Sequence, residues 1–215
     1  MIRAFVLALT VLLFSGPVQA AVDVQEITSP GGIKAWLVEE HSIPFAAIEI
    51  RFKGGSSLDP EGKRGAINLM TGLIEEGAGD MDAQAFIEAR DSLAASFDFD
   101  VFDDALSVSA RFLTENRDEA VSLLREALVN PRFDEEAIER VRAQVLSIIR
   151  SEATDPNKIA GSAFDGLAFG DHPYGSSRNG TLESVGALTR DDIVAANRAV
   201  LVRDRVYVGA AGDIT

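Results

Sequence analysis

The stretch Phe52-Lys53-Gly54-Gly55-Ser56, continued by Gly62-Lys63-Arg64-Gly65-Ala66-Ile67-Asn68-Leu69-Met70-Thr71-Gly72-Leu73-Ile74-Glu75, decides how this chain is read. Gly54 through Gly62 is a loop by composition, and it delivers the chain into a helix expected over Arg64 to Glu76. On that helix Asn68, Thr71, Gly72 and Glu75 fall at i, i+3, i+4 and i+7, so they share one face. Ala66, Ile67, Leu69, Met70, Leu73 and Ile74 cover most of the remaining circumference. A small polar face on an otherwise apolar helix is the pattern of an element packed on a sheet with one accessible edge.

Upstream, Gly32 to Glu39 and Ile43 to Phe52 read as strands joined by a turn at His41-Ser42. Ala46, Ile48, Ile50 and Phe52 alternate at period two, which predicts a half-buried antiparallel pair. Downstream, Asp82 is placed to cap a helix carrying Phe86, Ile87, Arg90, Leu93 and Ala94. Two alternating strands follow, Phe97-Phe99-Val101 and Leu106-Val108-Ala110-Phe112, with Asp103-Asp104 turning the chain between them. Helices are expected over Arg117 to Val129, over Asp134 to Glu152 ahead of Asp155-Pro156, and over Ile159 to Phe169. Thr189 with Asp192 opens a last helix, and Val206 to Ala210 reads as a closing strand. This order predicts an α+β fold: an antiparallel sheet covered by helices on one side.

The first twenty residues stand apart from the fold. Arg3 gives a positive start, Ala4 to Phe14 an apolar run, and Val18-Gln19-Ala20 a small-x-small cleavage site, the pattern of a signal peptide. The apolar run falls short of the roughly 20 residues that span a bilayer, so no membrane span is expected once the leader is removed. The expected location is the periplasm, with residues 21–215 forming the mature domain. With no cysteine in the chain, neither a disulfide framework nor a thiolate metal site is possible, so an ordinary core must supply stability after export. The chain carries 20 basic against 34 acidic residues, a formal net charge of −14, which repels phosphate backbones and excludes nucleic acid as an expected partner. It would favour basic partners, although solubility alone accounts for an acidic balance spread along the whole chain.

The entry segment Phe52 to Ser56 and Gly62 to Ala66 resembles the approach to the active-site helix of the insulinase-like (pitrilysin) zinc peptidases. In that family a Gly-x-x-His-x-x-Glu-His helix binds zinc through two histidines one turn apart, and the glutamate between them activates water. Aligned on Gly65, the histidine positions hold Asn68 and Gly72, and the glutamate position holds Thr71. The third zinc ligand of the family is a glutamate on a later helix. Val145-Leu146-Ser147-Ile148-Ile149-Arg150 occupies that place, with Ile148 where the glutamate belongs, and the 75 residues between Gly72 and Ile148 match the family's spacing. Leu128-Val129-Asn130-Pro131-Arg132-Phe133, His172-Pro173-Tyr174-Gly175 and the closing Gly209 to Asp213 extend the likeness over the mature chain.

The resemblance implies an insulinase-like, mitochondrial-processing-peptidase-like domain, the first of two homologous domains, with a degenerate site at Asn68, Thr71, Gly72 and Ile148. Gly72 and Ile148 offer no donor, and Thr71 cannot act as general base near neutrality. No cofactor is therefore expected in this chain, and it should be inactive alone. The family further implies a non-catalytic partner: zinc sits in a homologous subunit, and the two chains close around a peptide. The alternative is a free-standing periplasmic peptide-binding or scaffold protein of the same fold. Glu75, Glu76 and Glu152 are the carboxylates that could gather a hard cation, although solvated helix-end carboxylates are the commoner case. A serine hydrolase would have to use His41 or His172, the only histidines, with Ser162 or Ser176 nearby, and no Gly-x-Ser-x-Gly elbow accompanies them.

Overall fold

The computed structural model describes residues 22–215, so the expected signal peptide over 1–20 lies outside the described residues. The main sheet has six strands: β1 (Gln25–Thr28), β2 (Lys34–Glu39), β3 (Phe45–Lys53), β6 (Ser96–Val101), β7 (Ala105–Leu113) and β8 (Val206–Gly212), in the order β1-β2-β8-β3-β7-β6. A two-stranded ribbon, β4 (Gly77–Ala78) with β5 (Met81–Asp82), lies outside it. The helices are α1 (Ala66–Thr71), α2 (Ala83–Ser92), α3 (Arg117–Val129), α4 (Glu135–Glu152), α5 (Pro156–Phe169), α6 (Leu182–Gly186) and α7 (Arg190–Val200).

The period-two pattern sets which face of the sheet is buried. Leu37, Ala210, Ile48, Ala110 and Phe97 form one row across five strands, and Phe52 with Leu106 and Ile50 with Val108 form others. Of these, Ile48, Ile50, Phe52, Phe97, Leu106, Val108 and Ala110 meet Ile67, Leu69, Met70, Phe86, Ile138 and Ile193 from the helices in one core. The opposite face presents Trp36, Glu49, Arg51, Asp98, Asp100 and Arg111, so among the described residues the helices cover one side only. The α+β arrangement is the expected one.

Two expectations about the sheet are corrected. β2 and β3 do not pair: β8 lies between them, antiparallel to β3 and parallel to β2, so the sheet is mixed rather than antiparallel. Alternation told which side chains face inward, but it carries no information about which strand lies alongside. β1, the β4–β5 ribbon and α6 had no expected counterpart, being too short for a periodic signal. Helix starts were more legible. Asp82 Oδ1 accepts from Ala85 N at 2.9 Å, and Thr189 with Asp192 forms a reciprocal capping box. α4 begins after Asp134 as expected, yet that carboxylate takes Arg132 Nε at 2.7 Å and does not bond the helix.

His41 fastens the β2–β3 connection to the exit of β8, its Nδ1 lying 2.6 Å from Asp213 Oδ1. That hydrogen bond raises the His41 pKa above its usual 6.5, with Glu39 and Glu40 adding to the same direction, while partial desolvation opposes it. A raised folded-state pKa means the contact stabilises the fold fully below about pH 6.5 and fades as the pH climbs through the folded value. An NMR titration of the imidazole should give a midpoint above 6.5 in the native chain, falling toward it in Asp213→Asn.

Candidate functional site

Asp59 and Arg64 set the position of α1. Asp59 Oδ1 accepts from Ile67 N and Oδ2 from Gly65 N, each at 2.9 Å, which satisfies two of the donors a helix leaves open at its start. Its side chain is only 2% exposed, and burial pushes its pKa up against the opposing pull of the two N–H groups and of Arg64. Gly65 is required where it stands. Its φ is +95°, and a Cβ there would lie 2.7 Å from Asn179 O.

Arg64 gathers the surrounding loops. Its Nη2 donates to Pro173 O at 2.9 Å and Ser176 O at 3.0 Å, Nε donates to Ser177 O at 3.1 Å, and Nη1 donates to Ser56 O. The glycine-serine loop is in turn pressed onto the β6–β7 turn, with Gly54 N bonded to Asp104 O at 2.6 Å and Ser56 N to Phe102 O at 2.9 Å. A Cβ on Gly55 would come 1.9 Å from Phe102 O, so no other residue fits that contact.

The expected helix over Arg64 to Glu76 is regular only from Ala66 to Thr71, and tighter bonds such as Leu73 N to Met70 O at 3.0 Å carry the chain on to Glu76. On α1, Thr71 is buried and its hydroxyl donates back to Ile67 O at 2.7 Å, so it is consumed by the helix itself. Gly72 faces α4, where a Cβ would meet Val141 Cγ1 at 3.1 Å, so any side chain at 72 needs Val141 to yield. Asn68 Nδ2 donates to Asn179 Oδ1 at 3.3 Å, and Asn179 Nδ2 donates to both oxygens of Glu152, at 3.0 and 3.1 Å. An amide–carboxylate chain thus ties α1 to the end of α4. Ile148 lies on α4 and is 49% exposed.

This donor set does not fit a zinc ion. Gly72 and Ile148 bring no ligand atom, the Asn68 amide is engaged with Asn179, and catalytic zinc needs about three protein donors and an open position. Nor do the remaining acids converge. Glu75 pairs with Arg90 at 2.8 Å, burial raising its pKa, while Glu76 pairs with Arg140 and Glu152 holds Asn179. Among the described residues no three His, Asp or Glu side chains gather in a metal-binding group. His172 Nδ1 accepts from Tyr174 N at 3.3 Å and its ring meets Tyr174 edge-on, while Ser176 Oγ donates to Pro173 O. Glu152 and Asn179 line an open cleft of about 770 Å³ between the end of α4, α5 and the 174–180 segment.

Asp59 and Asn179 escaped the sequence reading because each acts on a residue that is not its neighbour in any periodic pattern. Removing the Asp59 carboxylate leaves a buried guanidinium and two helix N–H groups short of a partner, so Asp59→Ala should cost about 3 kcal/mol in urea unfolding. Asn179→Ala should cost about 1–2 kcal/mol and speed amide exchange around residues 174–180.

The model of the family described as insulinase, peptidase family M16, matches residues 34–181. A non-peptidase homolog of Helicobacter pylori, YmxG, is 27% identical over 99% of this chain and 49% of its own length. An uncharacterised zinc protease of Mycobacterium leprae is 26% identical over 87% of this chain and 42% of its own. The solved inactive domain of a peptidase M16 from Pseudomonas fluorescens superposes with a TM-score of 0.85 at 25% identity, over 90% of this chain and 47% of that one. A Helicobacter pylori protease at 17% identity shares the fold, with a TM-score of 0.80 over 91% of this chain and 47% of its own. The chain spans about half the length of the relatives it matches. With the family model covering more than half of the chain, including β2 to β7, the α1 helix and its approach loop, this chain belongs to the insulinase family, peptidase family M16.

Proposed function

We propose that this chain is a non-catalytic subunit of a periplasmic insulinase-like peptidase, forming part of a peptide-binding chamber with a homologous subunit that carries the zinc. The observation that carries this reading is the state of the motif helix. Asn68 is tied to Asn179, Thr71 is back-bonded and buried, Gly72 has no side chain, and Ile148 has no ligand atom. Zinc, water activation and the general base then all come from the partner. The likeness to a non-peptidase homolog and to an inactive domain supports the same view.

What remains for this chain is binding, and β6 suits it. This strand forms one edge of the main sheet, and the outward row of its side chains holds Asp98 and Asp100. An extended peptide added along β6 would bond main chain to main chain, and the two carboxylates would favour basic residues. The same edge serves equally well in a free-standing peptide-binding or scaffold protein of this fold.

The decisive experiment measures zinc content and peptidase activity of the purified chain, alone and mixed with a His-x-x-Glu-His homologue from the same periplasm. The chain alone should bring no stoichiometric zinc and no chelator-sensitive activity, and the mixture should cleave peptides faster than the homologue by itself. Zinc-dependent cleavage by this chain alone would sink the proposal, and inactivity of both arms would leave the free-standing binder. For the location, N-terminal sequencing of the secreted chain should begin at Ala21, and a full-length product in the cytoplasm would refute export.

A further inference from the structure

Among the described α-helices only α5 has no buried residue. Its inner face meets the open cleft of about 770 Å³ instead of a core, and Lys158, Gly161, Ser162 and Asp165 line that cleft at the spacing of one helix face. Asp165 is the one residue of α5 that is partly covered, while its neighbour Phe164 is exposed. The charges along the cleft are sorted by sign. Lys158 and Asp165 stand seven residues apart, two helical turns, so about 10 Å of helix axis separates them. Asp155 caps α5 just before Lys158, and Asn179, next to Arg178, holds Glu152 at the end of α4, so both cations belong to the start of α5. At the far end Phe169 meets Tyr174 edge-on at 5.5 Å, and Tyr174 donates its hydroxyl to Asp104, beside Asp103. Asp103 therefore joins Asp165 on the acidic side of the cleft. Among the described residues, none of Lys158, Asp165 and Arg178 has an ion-pair partner.

We propose that this cleft binds a short free peptide by both of its ends, the carboxylate at Lys158 and Arg178 and the ammonium group at Asp165 and Asp103. Length selects the ligand. An extended chain spans roughly 3.3–3.6 Å per residue, so about three residues bridge the two turns of α5 between the charged ends. The cleft volume of about 770 Å³ falls within the roughly 300–1,000 Å³ usual for small-ligand sites. Asp103 has only Oδ1 engaged, on Ser56 Oγ at 3.0 Å, which leaves its other oxygen for the ammonium group. Midway between the ends, Ser162 offers a hydroxyl to the inner amides of the peptide. Gly161 beside it leaves the space open, since a Cβ there would meet nothing within 4 Å. A zwitterion also suits an acidic chain, because it carries no net charge for the surrounding field to repel. The inference goes beyond the pseudo-peptidase reading: it needs neither a zinc-bearing subunit nor the β6 edge, so its failure would leave that reading standing.

Calorimetric titration of the purified chain with trialanine, N-acetyl-trialanine, trialanine amide and hexa-alanine tests it. Trialanine should bind, and blocking either end should weaken binding by about 10-fold or more. Asp165→Asn should cost the same factor for trialanine and nothing for the acetylated peptide, whereas Lys158→Gln should cost it for trialanine and nothing for the amide. Hexa-alanine, too long to place both ends, should bind less well than trialanine. Leu167→Ser, on the exposed side of α5, should leave every affinity unchanged. Circular dichroism checks that each variant is folded, and the capped peptides test the same contacts on the unaltered chain. No heat of binding with millimolar trialanine would overturn the proposal. Equal affinity for free and capped peptides would also overturn it, in favour of a groove through which a longer chain runs.

Discussion

Arg64 is a cation with 15% of its side chain exposed, and its guanidinium donors divide between the 56–59 loop and the 173–177 segment. The carbonyls of Ser56, Pro173, Ser176 and Ser177 and the carboxylate of Asp59 surround it, which draws together segments more than a hundred residues apart in sequence. A planar fork of five N–H groups suits that task, whereas a lysine would offer one point of attachment. Asp59 completes the arrangement by taking both Gly65 N and Ile67 N while lying against Arg64. Burial raises the affinity of Asp59 for a proton despite these partners, so the pair is held at an electrostatic cost. What offsets that cost is position: α1, the glycine-serine loop and the 173–177 segment acquire one fixed relation.

The sequence exposed different layers of this structure to different degrees, and the reason in each case is the range of the interaction. The buried face of the sheet was legible from Ala46, Ile48, Ile50 and Phe52, because alternation is a local consequence of the pleat. The neighbour of that face was not. β8 arrives from the far end of the chain to separate β2 from β3, and no local pattern records an insertion of that kind. Helix caps at Asp82 and Thr189 were readable since the capping side chain and the backbone N–H it accepts from lie three residues apart. The cap of α1 was hidden, because Asp59 sits eight residues before Ile67 and reaches it only after the loop has folded back.

The degenerate positions show a related division. Spacing placed Asn68, Thr71 and Gly72 on one side of a helix, and the structure gives each a different environment. Thr71 turned inward to its own backbone, Gly72 faces Val141, and only Asn68 reaches across to another element. Its link through Asn179 to Glu152 could not be inferred from residues 64–76, since both partners come from distant segments. A metal ion would tie a helix like α1 to one like α4 through ligand bonds. Here two amides and a carboxylate hold the same two helices with ordinary hydrogen bonds, which need no donor at Gly72 or Ile148.

Catalysis and binding make unequal demands on such a scaffold. Zinc chemistry requires particular side-chain atoms at several positions at once, so a change at any ligand removes the reaction. Peptide capture along β6 requires only main-chain N–H and C=O groups at a sheet edge, which the fold supplies whatever residues stand at 68, 71, 72 and 148. Selection on binding alone would therefore keep the strand order, the Arg64 hub and the acidic row of Asp98 and Asp100, and leave the motif helix free to change. In this chain the approach loop holds glycines at 55 and 65 that no other residue can replace, whereas the helix that the loop positions is occupied by packing and hydrogen bonds at Asn68, Thr71 and Gly72.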